Sequence, residues 1–129
     1  MAVSVAWENT QHSVLRVNCD AHWEAWDLRR PIEEVNRMLN SVPHKVDIVV
    51  DLTFSMVSPR NLLAMLSTIE EAHCENQGLL IIVRADSTIK TLGSMARVMA
   101  PKSFSNLYFV DALEDTQRLL RWQADRALA

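Results

Sequence analysis

The run VDIVVDL, residues Val46 to Leu52, is apolar except for Asp47 and Asp51, and the chain then crosses TFSMV into SPRNLLAML. The run is far too short for the roughly 20 residues of a membrane helix and carries two acids, so it reads as a strand buried on both faces, as parallel sheets contain. Ser58 followed by Pro59 marks a helix start, because a serine hydroxyl accepts from exposed backbone donors and proline fits the first helical turn. The stretch from Thr53 to Ser58 therefore reads as a loop between a parallel strand and a helix N-terminus, where open α/β sheets place their chemistry or partner contacts.

Other segments fit around this strand. Val3, Val5 and Trp7 alternate with smaller or polar residues, as do Leu15, Val17 and Cys19, and period two on both sides of ENTQH predicts an antiparallel hairpin. Leu28, Ile32, Val35, Leu39 and Val42 step by four and three, which predicts a helix with Pro31 either in its first turn or kinking it. Leu62, Met65 or Leu66, Ile69 and Ala72 form a second helical stripe, with Gly78 as its stop signal. Leu79 to Val83 is another buried parallel strand. Ser87 caps a third helix that ends before Pro101, LYFV at 107–110 is a last short strand, and Asp111 with Glu114 opens a C-terminal helix. The order is ββαβαβαβα, a single α/β domain over residues 1–129 with a mixed sheet of about five strands and four helices.

Composition narrows the function. With 13 Lys and Arg scattered among 16 acids and a net charge of −3, no concentrated basic face is available for nucleic acid. Two glycines, Gly78 and Gly93, are too few for a phosphate-cradling loop or a dinucleotide fingerprint, so no such cofactor is expected. No apolar stretch is long enough to span a membrane, and MAVSVAWENT lacks the basic and apolar regions of a signal peptide, so a cytoplasmic location is expected, with Cys19 and Cys74 reduced. Cys19 with His22 and His73 with Cys74 do not make a paired metal motif, and no metal is expected.

Asp51 at the end of a central strand invites comparison with the phosphoacceptor of receiver domains. That site needs an acidic pair after the first strand and a lysine after the last, where this chain has only Glu8 and then Asp111. Thr53, Ser55 and Ser58 suit turn and cap chemistry, and their place at a helix start also makes them candidate phosphorylation sites. Trp23 and Trp26 are core candidates that can also line an apolar pocket.

The element order, and VDIVVDLTFSMVSPRNLLAML above all, resembles a STAS domain, the fold of bacterial anti-sigma-factor antagonists. The tryptophans ahead of the first helix, PIEEVNRML and the final Val-Asp-Ala-Leu-Glu-Asp resemble its SpoIIAA-like branch. That resemblance implies a non-enzymatic regulatory module whose partner is a protein, of the kinase or anti-sigma type or a second copy in a homodimer, bound through Ser58, Arg60 and Asn61. The family's Asp-Ser-Ser-Gly run is replaced here by Ser58, Pro59, Arg60, Asn61 and Leu62. The alternative is a carrier or sensor of a small apolar, lipid-like ligand, suggested by Trp23, Trp26 and the six methionines. A solvent-accessible apolar cavity favours the carrier; a flat apolar patch beside Ser58 favours the interaction module.

Overall fold

Alternation of apolar and polar side chains folds the first residues back on themselves. The computed structural model describes residues 3–23, 25–57, 66 and 69–128, with side chains described except at 21, 22, 25, 26, 54, 56, 57 and 125–128. Strands β1 (Val3–Trp7) and β2 (Val14–Trp23) pair antiparallel with Val3 opposite Cys19 and Trp7 opposite Leu15. The turn between them is held by the Asn9 side chain, which accepts from the Ser13 and Val14 amides at 3.0 and 3.3 Å, and by His12 stacked on Trp7. His12 adopts φ 55°, a left-handed conformation that histidine tolerates better than most non-glycine residues.

β2, β3 (Val46–Val57), β4 (Gln77–Val83) and β5 (Leu107–Val110) then run parallel, in the sheet order β1-β2-β3-β4-β5. The expected mixed five-stranded sheet is present, with β3 at its centre. β3 is longer than the sequence predicts. Thr53 to Val57 is strand, not loop, and pairs with an equally unexpected extension of β2, Asp20 to Trp23. Asn18 lies opposite Asp51 but Asp20 opposite Phe54, so β3 carries an extra residue between these pairs. The Asp51 carboxylate accepts from the Thr53 amide at 2.9 Å, which satisfies the backbone where the ladder is interrupted.

A 3-10 turn (Ala25–Leu28) leads into α1 (Arg29–Asn40), where Pro31 is the third residue and so lies in the first turn. The expected helix after Ser58 falls largely outside the described residues; residues 69–71 are helical. α2 (Ser87–Met99) is capped by Asp86, which accepts from the Ile89 amide at 2.8 Å, rather than by Ser87. Beyond it a short helix not expected from the sequence, α3 (Pro101–Phe104), precedes β5, and α4 (Leu113–Leu128) follows.

Alternation gives the sheet two apolar faces. Leu15, Val17, Ile48, Leu52, Leu80 and Leu107 face α1 and α2, while Val49, Ile81 and Val83 pack with Leu119 and Leu120 of α4. Gly78 is the second residue of β4, not a helix stop. A Cβ there would collide with the Asp47 carboxylate, which accepts from the Leu79 amide at 2.7 Å. Gly78→Ala is therefore expected to expel Asp47, orphan the Leu79 amide and cost about 2 kcal/mol in urea unfolding. Adding the same change to Asp47→Ala should cost far less, and equal costs in the two backgrounds would disprove the collision.

Candidate functional site

The face of the sheet toward α1 and α2 is not filled. Val17 and Cys19 of β2, Ile48, Val50 and Leu52 of β3 and Leu80 and Ile82 of β4 form the floor of a cavity of about 230 Å³, roofed partly by Val35 of α1 and Leu92 of α2. α2 closes toward β5 on one side of this space. Gly93 lets α2 lie against Phe109 and Leu107 of β5, and Ala96 adds little volume one turn on. Trp23 closes one side. It is 4% exposed, and its indole N–H donates to Ser55 Oγ at 2.5 Å, joining the ends of the two strand extensions.

Among the described residues the lining is apolar apart from Cys19, Asn36, His73, Gln77 and Ser103. Burial, reinforced by the charges of Asp20 and Asp51, pushes the Cys19 thiol up to about 12, so at neutral pH it is an uncharged wall atom. His73 Nδ1 lies 3.2 Å from Ser103 Oγ, and Gln77 Nε2 donates to the Ser103 carbonyl at 2.9 Å. Glu70 accepts from the Lys102 and Ser103 amides at 2.9 and 3.0 Å, capping α3 and fixing Ser103 against the cavity.

A polar cluster spans β2 and β3 nearby. Asp51 accepts from Arg16 at 2.9 Å through one oxygen and from both the amide and hydroxyl of Thr53 through the other. Arg16 also donates to Asn18 at 2.9 Å and lies 3.5 Å from Glu8. Burial would raise the Asp51 carboxyl, but the Thr53 and Arg16 bonds outweigh it and hold it below the ordinary range. Where a receiver domain needs a metal-held acid, Asp51 is engaged by an internal guanidinium.

Of the candidates named from sequence, Ser55 and Trp23 are brought into contact, and Thr53 is engaged by Asp51. Thr53 is exposed on β3 and bonded to Asp51; Ser55 is partly buried on the same strand and bonded to Trp23. Trp23 lines the cavity from the end of β2, not from a helix. Trp26 lies in the 3-10 turn with its side chain outside the described residues, and Ser58, Arg60 and Asn61 lie wholly outside them. Arg16, Asn36, Gln77 and Ser103 were not singled out, because what joins them to their partners is contact across 26 to 38 positions of sequence. His73 was considered only as a metal ligand; among the described residues no group of three or more acids, histidines or cysteines is placed to hold a metal.

No helix among the described residues is long and apolar enough to cross a membrane. No family model and no curated protein matches the sequence. In structure, the chain is similar to an uncharacterised protein of the DUF3478 family from Shewanella loihica PV-4, described as having a SpoIIAA-like fold. The two share 13% identity at a TM-score of 0.67, covering 92% of this chain and 94% of the other. With the antiparallel β1, the parallel run of β2 to β5 and the helices on both faces, this chain has a SpoIIAA-like fold.

Proposed function

We propose that the chain is a non-enzymatic binding protein that holds a small apolar ligand between its sheet and helices α1 and α2. The observation that carries this reading is the cavity of about 230 Å³ with its almost wholly apolar wall. An apolar cavity of about 150 Å³ takes up benzene, so by volume this one suits an occupant of about nine non-hydrogen atoms. Trp23, held by Ser55, supplies a rigid aromatic wall. Titration calorimetry with octan-1-ol tests the reading. One saturable site with a negative heat-capacity change is expected, together with a rise in melting temperature. Ile82→Trp, which fills the cavity from β4, should keep the far-ultraviolet spectrum and lose the binding. Absence of saturable binding to the wild type overturns the proposal.

A protein-interaction role of the anti-sigma-antagonist kind is the second reading. What favours it is an exposed apolar triplet on α2, Met95, Val98 and Met99, at 43, 81 and 57% exposure. These positions share one helix face, and such a patch on a small domain suits a protein partner or a second copy. Sedimentation velocity of wild type beside Val98→Asp separates a homodimer from a monomer.

A further inference from the structure

We propose that the ligand is an amphiphile with a cationic head, an alkyl chain ending in a primary ammonium, and this rests on the cavity reading above. Three residues, Asn36, Ala72 and His73, line both the cavity and a polar surface cleft between α1 and residues 71–76. They mark where the apolar space meets the outside, so a chain lying inside would present its head group to that cleft.

The cleft's chemistry selects the head. Glu71 and Glu75 line it and are exposed, and no lysine or arginine stands among its described lining residues. The Asn76 amide nitrogen is already spent on the carbonyls of Leu39, Val42 and His44, at 2.7, 3.3 and 3.1 Å. Among the described residues, Asn36 Oδ1 and Asn40 Oδ1, by contrast, face the Cys74 sulfur, at 3.6 and 3.9 Å, and a thiol is a weak donor. The mouth thus offers carboxamide oxygens and two carboxylates, acceptors that match the three N–H bonds of an ammonium and repel a carboxylate head.

Calorimetric titration of the whole protein with octylammonium, octan-1-ol and octanoate, at matched low salt, tests this. Octylammonium is expected to bind about tenfold tighter than octan-1-ol, and octanoate weaker than both, since two exposed carboxylates each contribute only a few-fold. Glu71→Gln/Glu75→Gln should bring octylammonium down to the octan-1-ol affinity and leave octan-1-ol unchanged. Octanoate binding as tightly as octylammonium overturns the cationic head while leaving the cavity reading intact. Octylammonium affinity untouched by the double substitution removes the head from this cleft. Failure of all three probes to bind removes the cavity reading itself.

Discussion

Replacing Trp23 with Ala is expected to lower the unfolding free energy by about 3–5 kcal/mol, a large part of what a domain of this size commonly has. Trp23 is 4% exposed and lines one side of the cavity, so its removal enlarges a space that its neighbours already border and deletes a large buried side chain. Its removal also withdraws the donor that ties Ser55 to the end of β2. The two contributions separate in a cycle. Ser55→Ala leaves the indole N–H buried without a partner and should cost about 1–3 kcal/mol, whereas Trp23→Phe in that background removes the orphaned donor along with its acceptor. The double variant should therefore lose less than the two single losses added together. Urea unfolding followed by circular dichroism measures all four proteins. Additive losses would show that the bond contributes nothing and that Trp23 acts by volume alone.

The second large effect belongs to Arg16. Arg16→Met keeps the stem that lies along β2 and deletes the guanidinium, leaving Asp51, whose side chain is 11% exposed, without its cation. A loss of about 3 kcal/mol at neutral pH is expected, at the low end for a broken buried pair because Arg16 itself is 27% exposed. The loss is pH-dependent with a definite sign. Asp51 is held below its ordinary range in the folded state. Its stabilisation is therefore complete above the unfolded carboxylate value of about 3.9 and fades as pH falls through the lower, folded one. Asp47 has the opposite sign: burial raises it, despite the Leu79 bond and the Lys45 charge, so protonating it favours the fold. Because Asp47 is common to both proteins, the difference between wild type and Arg16→Met reports the carboxylates that Arg16 pairs with, Asp51 at 2.9 Å and the more exposed Glu8 at 3.5 Å. That difference should narrow on acidification from about pH 6 to about pH 2. A gap that stays constant over this interval would show that Arg16 stabilises through packing and not through the Asp51 charge.

Much of this arrangement was legible in sequence because it rests on local signals. Val46 to Leu52, apolar except for Asp47 and Asp51, and the continuous apolar run Leu79 to Val83 became neighbouring inner strands; the alternation at Val3–Trp7 became the antiparallel edge. Thr53 to Val57 was misread because hydroxyl residues suit turns, and what makes them strand is non-local: a partner in Asp20 to Trp23 and the Asp51 carboxylate at the extra residue. Gly78 was misread for the same reason, since its place is dictated by Asp47, 31 positions away. Asp86 and Ser87 can both cap a helix, and only the path of the chain chooses between them. Trp23 lines an apolar space, and the space itself had no sequence signal. Its described walls come from β2, β3, β4, α1 and α2, residues that share no motif.

The strand order has a consequence for how the chain is made. Each strand's neighbour on one side is the strand that precedes it in sequence, so a chain emerging from the ribosome always finds its pairing edge already present. β2 can close on β1 through a six-residue turn before anything else exists, and β3, β4 and β5 then add one at a time to a growing edge. No strand has to be inserted between two others already paired. An order of that kind avoids the long wait with two open edges that doubly wound sheets impose, in which the central strand is synthesised first and is flanked later from both sides.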